Sequence, residues 1–219
     1  ILYKKIFLPI HFIAWALIIS QAIGQNSYQS DFSSDEFKQR WQRIYDEIGD
    51  KGIAIIQGFP QPNGFIYPRQ TNVFYYLSGI ETPHSYLLLD GRKQRSTLYL
   101  PPPDKKLEKI EGKILSVENA SLVMKLVGVD QVRSTEDMKT NFPPNVERNH
   151  IIYTLFSPAE GQGQSRYELQ KANAAIARDY WDGRMSRESR LVELLRNRFP
   201  RVEIKDLTPI IDNLRSIKS

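Results

Sequence analysis

A capped amphipathic helix that runs straight into a buried strand limits the fold of this chain more than any other feature. Ser33-x-x-Glu36 has the form of a capping box, with the Ser side chain accepting from an orphan helix N–H and the Glu reaching back. Phe37, Trp41, Ile44, Tyr45 and Ile48 follow at helical spacing, with charges between them. Gly49 and Gly52 end the helix. Ile53-Ala54-Ile55-Ile56 is then a short apolar run bounded by Gly, which reads as a buried strand.

Helices and strands interleave through the rest of the chain. Residues 59–68 hold Pro60, Pro62, Asn63, Gly64 and Pro68 and read as a loop. Val73 to Leu77 is aromatic and strand-like. On a strand Phe74 and Tyr76 would point one way and Tyr75 the other, as sheet core or as the wall of a ligand cleft. Ser85 to Leu89 and Thr97 to Leu100 are two further strands around the Asp90-Gly91 turn signal, and Pro101-Pro102-Pro103 stops the second. Ser116 caps a helix to about Val127, and Ser134-x-x-Asp137 starts a shorter one. Ile151 to Leu155 is a strand, Arg166 to Tyr180 a helix, and Ser189 to Phe199 an amphipathic helix with Leu191, Leu194 and Leu195 inward. Val202 to Ile204 is a last strand, and Thr208-Pro209 opens a final helix. The fold class expected is α/β, a mixed β-sheet flanked by helices.

The first residues form an address. Lys4 and Lys5 precede the apolar run Ile6 to Ile19, and small or polar residues follow from Ser20 to Gln25. That is the pattern of a secretory signal peptide over residues 1–24, cleaved before Gln25, with a linker over 25–32. The rival reading is an uncleaved anchor. Fourteen helical residues rise about 21 Å, short of a hydrocarbon core of roughly 30 Å. Export to the periplasm or the exterior is therefore expected. The chain opens on Ile1, as a fragment would.

Charge and composition exclude several function classes. The net charge is +5, and removing Lys4 and Lys5 leaves 28 basic against 25 acidic residues. That mild excess does not point to nucleic acid, which leaves a concentrated basic stripe. With no cysteine, a disulfide scaffold, a zinc ribbon, an iron–sulfur site and a cysteine nucleophile are excluded. The His residues are His11, His84 and His150, with no H-E-x-x-H. A metal shared by His84 and His150 is a weak reading beside two hydrogen-bonded loop or strand-edge residues. No G-x-S-x-G elbow occurs. Gly161-Gln162-Gly163 lacks the Lys-Ser/Thr of a phosphate cradle and reads as a flexible loop. Arg178, Arg184, Arg187, Arg190, Arg196, Arg198 and Arg201 alternate with acids, as on a solvated helix face.

Residues 69–79, Arg69-Gln70-Thr71-Asn72-Val73-Phe74-Tyr75-Tyr76-Leu77-Ser78-Gly79, resemble the R-Q-x-x-x-F-Y-Y-L-T-G signature of the N-terminal domain of Xaa-Pro aminopeptidase (aminopeptidase P). The likeness continues through Glu81-Thr82-Pro83, Tyr86 to Leu89, Ser96 to Pro101 and Gly128-Val129-Asp130. Leu214 to Ser219 is similar to the L-R-x-I-K-S that precedes the family's catalytic domain. The resemblance implies an N-terminal domain over 33–213, with 214–219 starting a linker to a catalytic domain outside the chain. It implies a non-catalytic lobe that shapes the cleft and helps to assemble a homo-oligomer. Its partner would be a C-terminal "pita-bread" domain that binds two divalent metal ions, manganese in the usual case, and removes an N-terminal residue when proline is second. No metal ligand carries over to this chain, so no cofactor is expected on it. The resemblance implies that a cleft wall, if formed by this chain, would come from Arg69, Asn72 and Tyr75. Ile110 occupies the Trp position of the family's E-x-W-x-G, and Asn63 falls near a family acidic position. A stand-alone binding or assembly module, and the N-terminal domain of a prolidase- or creatinase-type enzyme, are the alternatives.

Overall fold

The computed structural model describes residues 29, 32–60, 69–140, 142–161 and 163–216. The expected signal peptide, most of the linker and Asn63 lie outside the described residues. No described helix is long and apolar enough to cross a membrane.

Six strands form one mixed sheet: β1 (Gly52–Gln57), β2 (Tyr86–Asp90), β3 (Arg95–Leu100), β4 (Gln131–Ser134), β5 (Ile151–Thr154) and β6 (Glu203–Asp206), in the order β4-β3-β2-β1-β5-β6. The β1–β2 and β2–β3 pairs are antiparallel, with Ile55 opposite Leu88 and Leu88 opposite Thr97. The β3–β4, β1–β5 and β5–β6 pairs are parallel. Among the described residues seven helices accompany them: α1 (Ser34–Ile48), α2 (Asn72–Ser78), α3 (Lys105–Glu111), α4 (Ala120–Val127), α5 (Arg166–Arg178), α6 (Arg187–Arg198) and α7 (Thr208–Ser216). The α/β expectation therefore holds, and β4 and α3 are additions to it.

Side chains alternate across the central strand because the strand repeat is two residues. Ala54 and Ile56 of β1, with Leu87, Leu89, Leu98 and Leu100, enter the larger core. There they meet Phe37, Trp41 and Ile44 of α1, Phe74 and Leu77 of α2, Val123 and Val127 of α4, and Ile211 and Leu214 of α7. Ile53 and Ile55 face the other way, with Leu88, Tyr99 and Ile152, and are covered by Leu191 and Leu195 of α6 and by Phe142. Both sheet faces are covered, which is why β1 reads as a continuous apolar run.

Several expectations are corrected. Residues 72–78 are helix, not strand. Thr71 Oγ1 caps the helix by accepting from the Phe74 N–H at 3.2 Å, and Gly79 closes it in the left-handed region at φ 61°. Those caps fix one short turn pair that aromatic, β-branched composition alone does not betray. The Ser33 box is half made. Ser33 accepts from the Glu36 N–H, but the Glu36 carboxylate pairs with Arg40 instead of reaching back. Ser116 caps a 3₁₀ turn, Val117–Asn119, that leads into α4, and Ser134 precedes a 3₁₀ turn, Thr135–Lys139. Leu194 is not inward. The apolar stripe of α6 is centred on Leu191, Val192 and Leu195, and Leu194 falls on its flank, exposed. Gly52 belongs to β1, so Gly49 alone caps α1. Helix α7 continues through Leu214, which is buried, to Ser216.

Candidate functional site

The residues around the R-Q signature form a clamp at the end of the sheet where β1 leaves and β2 enters. Gln70 is buried and its amide serves both strand ends. Oε1 accepts from the Phe59 N–H at 2.5 Å, while Nε2 donates to the Thr82 carbonyl at 2.8 Å. Its own N–H donates to Glu81 Oε2 at 2.6 Å, and Glu81 Oε1 accepts from Arg69 Nη1 at 3.0 Å. Thr82 Oγ1 continues the chain of bonds to the Leu115 carbonyl at 2.7 Å. An amide suits this place because it carries a donor and an acceptor at once.

Helix α2 follows directly. Phe74 and Leu77 fill the core, and Tyr76 lies half-buried with the Arg40 guanidinium 4.0 Å above its ring. Arg40 Nη1 also donates to the Tyr76 carbonyl at 2.5 Å. Asn72 and Tyr75, three apart, share one face of α2. Asn72 is exposed and Tyr75 half-buried, and the mostly exposed Arg69 side chain stands just before the helix. The structure thus places Asn72 and Tyr75 on one face of α2, with Arg69, paired to Glu81, in the segment just before the helix. The Asn72 N–H donates to the Glu160 carbonyl at 2.7 Å, which ties this start to a second cluster.

That cluster is ionic. Arg166, the first residue of α5, donates to both oxygens of Asp212 on α7, at 2.5 and 2.7 Å. Arg215 donates to Glu160 Oε2 at 2.8 Å, and Arg166 lies 3.5 Å from Glu160 Oε1. The Asp212 carboxyl is held below its ordinary range chiefly by the Arg166 hydrogen bond. Burial pushes the Glu160 carboxyl up, but the hydrogen bond to Arg215 and the two nearby guanidinium charges outweigh it and bring it down. Spacing gave no sign of this network, since residues 160 and 215 meet only in three dimensions.

Arg187 also departs from the solvated-face reading. Its Nη2 donates to the Gly58 carbonyl at 2.7 Å and its guanidinium lies 5.5 Å from the Phe59 ring centre. Burial lowers its pKa. Nearby His84, in the left-handed region at φ 57°, has its pKa lowered by burial first and by the Arg187 charge second. His150 is buried, and its Nδ1 accepts from the Glu147 N–H at 2.9 Å. The two His residues lie beyond opposite ends of β1, since Gln57 pairs with Tyr86 and Gly52 with Ile151. Five residue steps at about 3.3 Å separate those ends by roughly 17 Å, which overturns the shared-metal reading. Among the described residues no three His, Asp or Glu side chains converge to hold a metal ion. Gly161 bridges to Gln164 in a tight turn. Ile110 stands on the outer surface of α3, largely exposed.

The buried polar groups here bond main chain or one another, except Arg166 Nε, which has no partner among the described residues. The arrangement holds two strand ends and three helix ends in place. Comparisons with known proteins give the family. The family model described as aminopeptidase P, N-terminal domain, matches residues 37–153, a little over half of the chain. The fungal "Probable Xaa-Pro aminopeptidase PEPP" of Paracoccidioides brasiliensis is 34% identical over 98 residues, covering 42% of this chain and 20% of its own length. The Xaa-Pro aminopeptidase of Haemophilus influenzae is 26% identical over 133 residues, covering 58% of this chain and 30% of its own length. Among solved structures, the fold is shared with proline aminopeptidase P II of Yersinia pestis at TM-score 0.56 and 21% identity, covering 86% of this chain and 40% of that one. The chain thus spans well under half the length of these relatives. With the matched residues running from α1 through β5, the chain belongs to the family of aminopeptidase P N-terminal domains.

Proposed function

We propose that this chain is the N-terminal, non-catalytic lobe of an exported, metal-dependent Xaa-Pro aminopeptidase, and that it shapes the substrate cleft and supports the oligomer of that enzyme. The observation that carries the reading is the match to the family's N-terminal domain in a chain that covers only 40% of a solved relative. The described residues do not fit a two-metal centre. His84 and His150 lie at opposite ends of the sheet, and Glu160 and Asp212 are committed to arginines. The reading therefore places the two ions, manganese in the family's usual case, on a C-terminal pita-bread lobe, where they would supply an activated hydroxide. No step of the hydrolysis is assigned to residues of this chain.

Arg69, Asn72 and Tyr75 are the cleft-wall residues of this reading, supported by the shared α2 face of Asn72 and Tyr75 and by the exposure of Arg69 just before it. Substrates are peptides with proline second, whose peptide nitrogen carries no hydrogen and needs a dedicated site. The test uses the polypeptide translated past Ser219. It should release the residue before proline in a manganese-dependent assay, with Arg69→Ala or Asn72→Ala raising KM and leaving the melting temperature unchanged. Its mature form should begin at Gln25. Turnover by the 219-residue chain alone, lost on His84→Ala or His150→Ala, would overturn the reading.

A further inference from the structure

We infer that a polar cavity over β3 and β4 binds a phosphate group, free or carried as a small monoester. The cavity holds about 200 Å³, and Lys93, Arg95, Thr97, Tyr99, Gln131 and Arg133 line it. The strand repeat of two puts these strand residues on one face of the sheet. Leu88 stands opposite Thr97 and Thr97 opposite Gln131, while Tyr99 stands opposite Arg133. Helix α6 packs against β6, at the far edge of the sheet from β4. The β3–β4 end of this face is therefore left to polar side chains, with the turn at Pro144 and Asn145 walling the cavity.

A half-covered sheet ordinarily shows polar side chains to water. Here the charges do not cancel. The one carboxylate in the lining, Asp90, is taken by Lys93: its Oδ1 accepts from the Lys93 N–H at 3.1 Å, and its Oδ2 lies 3.9 Å from Lys93 Nζ. Among the described residues neither Arg95 nor Arg133 has an acidic partner within 4.0 Å. Three cations thus face one carboxylate, and an anion supplies what is missing.

The donors are placed on both sides of a centre. Two residue steps along a strand are about 7 Å. Arg95 lies that far along β3 on one side of the Thr97–Gln131 row, and the Tyr99–Arg133 row lies as far on the other. Tyr99 is 1% exposed, and its ring meets Phe142 edge-on at 5.3 Å, which fixes its position. Its phenol oxygen is hydrogen-bonded by Arg133, which leaves its own O–H to donate. Burial, with Asp137 adding, raises the Tyr99 pKa against the opposing effect of Arg133, so the phenol keeps its proton at neutral pH. Guanidinium groups at two ends with a phenol, a hydroxyl and an amide between them suit a tetrahedral oxyanion of charge two. A carboxylate, with two oxygens and one charge, would leave one arginine unmatched. The cavity is smaller than the roughly 300–1,000 Å³ of pockets for drug-sized ligands, which limits the occupant to an ion or a short ester.

The test is calorimetric titration of the full-length protein with inorganic phosphate, glycerol phosphate and acetate, at a constant ionic strength of about 0.15 M. Metal ions elsewhere in the protein take phosphate equally in wild type and variants, so the comparison between them isolates this cavity. Arg95→Gln and Arg133→Gln should each weaken phosphate binding about tenfold or more, and Arg133→Lys should recover part of the loss by keeping the charge without the fork. Tyr99→Phe, which keeps the ring packing, should weaken it about fivefold. Arg92→Gln removes the same charge from a residue outside the cavity, paired to Glu147, and should leave binding unchanged. Tighter binding of glycerol phosphate assigns the site to an esterified group and tighter binding of the free ion to inorganic phosphate, and both support the site. No phosphate binding up to roughly 10 mM, acetate bound as tightly as phosphate, or an Arg92→Gln loss equal to that of Arg133→Gln would overturn it.

Discussion

Replacing Gln70 with Ala tests whether the signature residue acts on the fold or on a ligand. In the structure its Oε1 satisfies the Phe59 N–H at 2.5 Å and its Nε2 serves the Thr82 carbonyl at 2.8 Å. The Thr82 carbonyl keeps a second donor, Ser85 Oγ at 2.8 Å, so the truncation leaves one group, the Phe59 N–H, without its acceptor. An orphaned buried donor costs about 1–3 kcal/mol, and the space left by the amide adds to it. The expected loss is roughly 2–4 kcal/mol, or a fall in Tm of about 5–15 °C for a domain of this size. Urea titration should show it as a lower midpoint at constant slope. Gln70→Glu separates the two halves of the amide. It keeps the acceptor for Phe59 but sets an oxygen against the Thr82 carbonyl, so the introduced carboxyl is stable there only with its proton. Its folded pKa is raised, the variant is best below the ordinary carboxylate value of about 4.3, and its stability falls as pH rises through the raised value. If Gln70→Ala costs under about 0.5 kcal/mol, or if Gln70→Glu shows no such pH slope, the clamp reasoning is wrong.

Four further outcomes follow from the structure. Tyr45 has a buried hydroxyl with no hydrogen-bond partner among the described residues, and burial raises its pKa, with Asp130 and Asp90 adding to the rise. Tyr45→Phe should therefore raise stability by about 1 kcal/mol in a thermal melt. A Cβ on Gly91 would sit 2.1 Å from the Gly49 carbonyl oxygen, so Gly91→Ala should lose several degrees of Tm and fold poorly. The Asp212 and Glu160 carboxyls are depressed, so the stability they lend is present above about pH 4.5 and is lost as pH falls through their lowered values. Partial exposure keeps this effect small, and Arg166→Ala should flatten the acid limb of Tm against pH. In an NMR titration, His84 should take its proton below about pH 6.5, and Arg187→Gln should move that midpoint upward.

Much of the fold was legible because its helices and strands are periodic over enough residues to declare themselves. The α1–β1 unit was read from five apolar residues at helical spacing and a Gly-bounded strand, and α5, α6, β2, β3 and β5 were read in the same way. Helix α2 was misread because seven residues rich in aromatics fit either period, and its caps, Thr71 and Gly79, decide the matter through hydrogen bonds that local composition does not encode. Strand β4 escaped notice because Gln131, Val132, Arg133 and Ser134 have almost no apolar content, which suits an exposed edge. The signature directed attention to Arg69, Asn72 and Tyr75, of which Asn72 and Tyr75 share a face of α2 and Arg69 precedes it. The Gln70 clamp, the ionic knot of Glu160, Arg166, Asp212 and Arg215, and the role of Arg187 were hidden, because each joins residues far apart in sequence.

The clamp and the knot share a mechanical consequence. Glu160 accepts from the Asn72 N–H through its carbonyl and from Arg215 through its carboxylate, so the start of α2 and the end of α7 are joined through a single residue. Arg166 adds the head of α5 to the same point. The start of α2, the head of α5 and the end of α7 are therefore set relative to one another by one main-chain bond and a few charge-assisted ones. The R-Q segment therefore has a structural role: the buried Gln70 amide ties the strand ends, and the Thr71 and Gly79 caps fix α2 beside them.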